Sequence, residues 1–184
     1  MASSDFELLD ILWTHTNVTK KDKYRIYLAC IVSKLMYGLQ TAWLTKVQNT
    51  KLDGFHARCV RRIVGIKHSY WSRISNVEVL SCVNAVPLSK LLLEQQLLVF
   101  GKIFRKPIHD VFRRVIFANN SDILQAHSKK RRVGRPRLEW AAEVRKITNT
   151  ITEDHLADDM LDEKYWKRCV RKFCRAPCSS PPAA

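Results

Sequence analysis

Two prolines, Pro87 and Pro107, bracket a stretch whose apolar residues leave it almost no polar side. Proline suits the first turn of a helix, and the residue before a proline resists helical geometry, so a helix opening at Pro87 must end near Lys106. Leu88, Leu91, Leu92, Leu93, Leu97, Leu98, Val99, Phe100, Ile103 and Phe104 cover well over half its circumference. Only Lys90, Glu94, Gly101 and Arg105 define a clear polar strip. A helix that apolar belongs in the middle of a core, with other elements packed around it.

The neighbouring segments carry the same helical period. Thr19 with Asp22 reads as a capping pair, opening a helix with Tyr24, Tyr27, Leu28, Ile31, Val32 and Leu35 on one face and a break permitted at Gly38. Thr45 with Gln48 opens a second, with Leu52, Phe55, His56, Cys59, Val60 and Ile63 inward and Gly65 as a left-handed cap. Ser75 and Glu78 form a capping box for a short helix through Val83. Residues 108–117 predict another, with Val111, Phe112, Val115 and Ile116 inward; Arg114 to Ala118 is the one segment with a competing strand pattern. A helix from Pro136 uses Trp140, Ala141, Val144, Ile147 and Ile151, and a last one, capped by Asp162, places Trp166, Cys169, Val170 and Phe173 together. The expected fold is all-α. It comprises a helical domain over 1–118, a basic linker over 119–137, a C-terminal helical pair over 138–175 and a disordered, proline-bearing tail over 176–184.

With 184 residues and 46 % hydrophobic content, such a chain can bury a core without disulfides or metal. No apolar run reaches the roughly 18 residues of a membrane span. Met1 to Asp10 carries acids in place of a basic stretch and a greasy core, so an intracellular protein with no membrane partner is expected. The formal net charge of +15 is unevenly spread. Residues 51–75 hold six basic residues against one acid, and residues 126–150 hold eight against two, whereas 151–184 balance at six each. Clustered cations are the footprint of a polyanion partner, most simply nucleic acid.

On the second helix, Lys51, Arg58, Arg61 and Arg62 fall opposite the apolar face. Arg58 and Arg62 are one turn apart, so their planar guanidinium forks can follow successive phosphates. The run Lys129-Lys130-Arg131-Arg132-Val133-Gly134-Arg135-Pro136-Arg137 stays extended and can lie along a backbone or enter a narrow minor groove. It can equally serve as a nuclear-import signal. Its Gly134-Arg135-Pro136 resembles an AT-hook core, with Val133 where the hook has a cation. Trp71, beside Tyr70 and Arg73, is a candidate for stacking a base, while Trp140 and Trp166 fit packing stripes. His56 fits a core or boundary residue. Cys30, Cys59 and Cys82 lie on or beside apolar stripes as small core residues, and Cys169, Cys174 and Cys178 have no nearby fourth ligand for zinc. No phosphate loop, dinucleotide fingerprint or nucleophile elbow occurs, so no cofactor, metal or small-molecule substrate is expected.

Several strings follow one another in a telling order: Lys23-Tyr24-Arg25-Ile26-Tyr27 with Leu35-Met36-Tyr37-Gly38-Leu39-Gln40-Thr41-Ala42-Trp43; Phe55-His56-Ala57-Arg58-Cys59-Val60-Arg61-Arg62-Ile63-Val64-Gly65-Ile66; and Trp71-Ser72-Arg73-Ile74-Ser75-Asn76-Val77-Glu78-Val79-Leu80. Leu97 to Pro107, Gly134-Arg135-Pro136-Arg137 with Trp140, and Tyr165-Trp166-Lys167-Arg168 continue it. From about residue 6 to 171 the chain resembles non-LTR retrotransposon endonuclease–reverse transcriptases of the LINE, RTE-like kind, with Lys102 where that family often has His. In those enzymes the corresponding stretch follows the palm and forms the helical thumb and its C-terminal extension. The resemblance therefore implies a thumb-like bundle lying against the minor groove of a template–primer duplex, whether RNA, DNA or their hybrid. It also implies a missing palm and fingers portion as a partner. Arg58, Arg61, Arg62, Arg73, Lys129, Lys130, Arg131, Arg132, Arg135 and Arg137 become candidate duplex contacts by that resemblance.

The parent's chemistry is not expected to carry over. A reverse transcriptase needs carboxylates that hold paired Mg²⁺ ions, usually on a Tyr/Phe-x-Asp-Asp turn between hydrophobic strands. Asp158-Asp159 is flanked by Glu153, Asp154, Asp162 and Glu163, no strand pattern adjoins it, and Leu156 and Met160 are spaced as on a helix face. The reading is a non-catalytic nucleic-acid-binding piece of such a polymerase. The alternative is a protein-interaction or relic domain whose apolar thumb surface self-associates.

Overall fold

The computed structural model describes residues 2–14, 17–118, 123–125, 139–152 and 156–175. Among them the chain is helical, without a named strand, as the periodicity predicts. It divides into two compact units, one of residues 1–39 and 44–92, the other of residues 40–43 and those from 93 onward. The division falls inside the long apolar helix instead of at residue 118. Its first residues, Leu88 and Leu92, enter one core, and Leu97, Phe100 and Phe104 enter another.

The first unit opens with a helix the sequence reading omits, α1 (Ala2–Thr14). Phe6 and Trp13 are buried from it and meet edge-on, ring centroids 5.7 Å apart. Next come α2 (Lys20–Tyr27), a π-helical turn (Leu28–Val32) and α3 (Ser33–Met36). Thr19 caps α2 by accepting the Asp22 amide. The central element is α4 (Lys46–Val64), entered through a Thr45/Gln48 capping box and closed by Gly65 at φ 83°, as predicted. Tyr27 is fully buried against it: the phenol and His56 Nδ1 share a hydrogen bond of 3.0 Å, and the two rings stack at 5.6 Å. The one-turn α5 (Ser69–Ser72) and α6 (Asn76–Ser81) follow, the latter with the Ser75/Glu78 box.

The long helix is α7 (Leu88–Phe104). Pro87 stands just before it, its carbonyl accepting from the Leu91 amide at 3.2 Å. Proline has no side-chain acceptor with which to cap a helix, and Asp53 of α4 supplies one. Its Oδ1 accepts the Ser89 amide at 2.8 Å and its Oδ2 accepts the Ser89 hydroxyl at 2.6 Å.

The second unit packs the rest of α7 with α9 (Trp140–Thr152), α10 (Leu156–Leu161) and α11 (Glu163–Arg175); α8 (Val111–Ile116) precedes them. Val144, Met160, Trp166 and Val170 are fully buried here. Asp162 caps α11 as expected, Oδ1 accepting the Lys164 amide at 2.8 Å. Of the inward set predicted for α8, only Ile116 faces the core. Val111, Phe112 and Val115 are exposed at 69, 63 and 69 %. The inward side is instead Arg113, half-buried Ile116 and buried Phe117, with the Arg113 guanidinium 5.1 Å from the Phe104 ring centroid. A cation lying on an aromatic face is as good a core neighbour as an aliphatic chain, and it turns the valines outward. The strand pattern at Arg114 to Ala118 reduces to one antiparallel bridge between Phe117 and Leu124. No helix among the described residues is long and apolar enough to cross a membrane.

Candidate nucleic-acid interface

Helix α4 buries much of its circumference: Leu52, His56, Ala57, Cys59, Val60, Arg61 and Ile63 are all inside. What remains outside includes Lys51, Arg58 and Arg62. Arg58 and Arg62 stand one turn apart, as their spacing predicts, and no ion pair engages Arg58 among the described residues. Arg62 Nη1 lies 3.6 Å from Asp10 Oδ2, with its side chain still 56 % exposed. An exposed pair of that length contributes little and yields readily to a phosphate.

Arg61 corrects the sequence reading. It shares a face with Ala57, one turn earlier, and is only 5 % exposed, so it is not a surface contact. Its guanidinium is committed within the protein. Nη2 donates to the Ile74 carbonyl at 2.6 Å and to Asn76 Oδ1 at 3.0 Å, and Nη1 donates to Ser72 Oγ at 3.3 Å and the Lys67 carbonyl at 3.5 Å. One side chain thus ties the connection between α4 and α6 to α4.

That connection carries the exposed groups. The left-handed Gly65 turns the chain, and the Ile66 amide returns to the Arg61 carbonyl at 2.9 Å. His68 starts α5, its Nδ1 accepting the Tyr70 amide at 3.3 Å. Arg73 ends α5 in the left-handed region at φ 52°. Tyr70 and Trp71 are 77 and 76 % exposed and meet edge-on at 5.3 Å, with Lys67, His68 and Arg73 exposed around them. Exposed rings interleaved with cations can stack a base and hold its phosphates. Residues 129–132, 135 and 137, the other predicted cations, lie outside the described residues.

A second cationic surface escaped the sequence reading. Counting over 151–184 cancels six acids against six bases, but every acid lies at 153–163 and every base at 164–175. On α11, Lys164, Arg168 and Lys172 are spaced four apart and all exposed. Arg171 and Arg175 reach back to the mostly buried Glu94 at 3.7 and 3.8 Å, and Lys167 pairs with Glu163. A twelve-residue window over 164–175 would have found this stripe.

The cysteines divide differently from expectation. Cys59 and Cys174 are buried, but Cys30 and Cys82 are exposed, and the described cysteines are all free. Burial pushes the Cys59 thiol up to about 11, partly opposed by its hydrogen bond with Tyr27, so it stays protonated at neutral pH. No group of three or more potential metal ligands occurs among the described residues. Cys178 lies outside them. Asp158 and Asp159 fall on α10, beside fully buried Met160. No family model, curated protein or solved structure matches the chain.

Proposed function

We propose that the chain is a non-catalytic nucleic-acid-binding protein of the polymerase-thumb kind, gripping the backbone of an RNA, DNA or hybrid duplex. Arg58, Arg62 and Arg73 hold phosphates, and Trp71 stacks on an accessible base. The observation that carries this reading is the exposed Tyr70–Trp71 pair on a turn that buried Arg61 clamps to α4. A platform ordered before binding loses little entropy when a ligand arrives. The Lys164, Arg168 and Lys172 stripe adds a further place for backbone contact, and the ordered retrotransposon-like strings favour a template–primer duplex.

Gel-shift titration of the full chain against RNA–DNA hybrid, DNA and RNA duplexes tests it. With about six phosphates neutralised, log affinity falls with log salt at a slope of roughly −5. Arg58→Glu with Arg62→Glu weakens binding by about tenfold or more without changing the melting temperature, because exposed positions contribute little to stability. A flat salt response overturns the proposal.

The exposed Val111, Phe112 and Val115 of α8 favour a second reading, self-association through an apolar face. Light scattering that finds a dimer, together with a gel shift that finds no binding, selects it.

A further inference from the structure

An open groove of about 330 Å³ lies within the first unit, alongside the Arg58–Arg62 flank. Phe6, Phe55 and Ile66 give it apolar walls. Arg58, Arg62 and His68 supply cations and a ring nitrogen, and Glu7 is the acid among its lining residues. His68 Nδ1 already accepts the Tyr70 amide, so Nε2 is the nitrogen left for a ligand. The same histidine begins the turn that bears Trp71, which makes the groove and the stacking platform parts of one surface.

The volume sits at the low end of small-molecule sites, about 300 to 1,000 Å³. It suits one flat heterocycle and is too small for a base pair stacked in a duplex. An inorganic anion would leave the aromatic walls unused, and an apolar ligand would strand the guanidinium groups. A nucleobase joined to its phosphate uses both halves: ring against the half-buried Phe55 and Ile66, phosphate on Arg58 and Arg62, and an exocyclic amine donating to Glu7. We infer that this groove receives one unpaired nucleotide of a bound strand, so that the protein prefers a duplex with a single-stranded end to a blunt one. The inference rests on the nucleic-acid reading above and adds to it the recognition of a strand end.

Fluorescence anisotropy with the full chain tests it, using a blunt duplex and the same duplex with a short 3′ overhang at equal salt. The overhang should bind about tenfold tighter, as expected for one stacked base. Ile66→Trp fills the groove and should abolish that advantage while leaving blunt-duplex affinity unchanged. Because Ile66 also packs against Val60, Val79 and Leu80, a second measurement uses the unaltered chain. Excess adenosine monophosphate should erase the overhang advantage, whereas ribose 5-phosphate at the same concentration, which meets Arg58 and Arg62 without a base, should weaken both duplexes alike and leave the advantage in place. Equal affinity for the two duplexes overturns this inference and leaves the backbone grip standing. A preference that survives both the folded variant and the competitor also overturns it. Absence of binding to either duplex removes both readings.

Discussion

The indole of Trp166 occupies the space that a side chain on Gly101 would need. A Cβ there would collide with the indole Nε1 and Cδ1. Trp166 is fully buried and its Nε1 donates to the Leu97 carbonyl at 3.1 Å, one turn earlier on α7, so it has nowhere to retreat.

Gly101→Ala therefore inverts the usual helix rule. Alanine in a helix interior normally stabilises by about 1 kcal/mol relative to glycine. Overpacking a tight core costs about 1–3 kcal/mol, which wins here. Urea denaturation followed by tryptophan fluorescence should show net destabilisation, and a gain in stability would mean that the indole has room to move.

Arg61→Met should act on stability first and on binding second. The variant keeps much of the aliphatic stem but strips the donors from the Ile74 carbonyl and Asn76, a loss of about 2 kcal/mol. Arg61→Lys should recover only part of this, since an ammonium cannot reproduce the planar fork. Amide hydrogen exchange over residues 67–76 should quicken in both variants. Exchange as slow as in the parent would show that the clamp is redundant.

His56 gives the fold an acid limit. Burial lowers its pKa from 6.5 to about 4, against a smaller upward pull from Asp53. The unfolded chain takes up this proton near pH 6.5, so the stability from the neutral ring is fully present above that pH. It is lost as pH falls toward 4, by about 3 kcal/mol over the window. His56→Phe should flatten stability against pH in that interval, whatever it does to the absolute value. An unchanged slope would assign the acid sensitivity to other groups.

Local codes were legible from residue order alone. The Thr45/Gln48 and Ser75/Glu78 boxes, the Asp162 cap and the left-handed Gly65 each depend on neighbours within a few positions, and each stands where the sequence places it. The exposure of Arg58 and Arg62 was legible because helical phase alone sets it. That of Arg61 was not, because its partners at Ile74 and Asn76 exist only once the chain has folded back. The same holds for α8, where periodicity counts Val111 and Val115 as core and cannot see that Arg113 covers Phe104 and Phe117. The α11 stripe was hidden by a counting window wider than the charge segregation it had to detect.

The Asp53 carboxylate grips Ser89 across 36 positions of chain. The great apolar rod thus does not carry its own starting signal, and a peptide beginning at Pro87 would fray at its front end for want of an acceptor. A disturbance at Asp53 would therefore loosen the first turn of the element whose residues enter both cores.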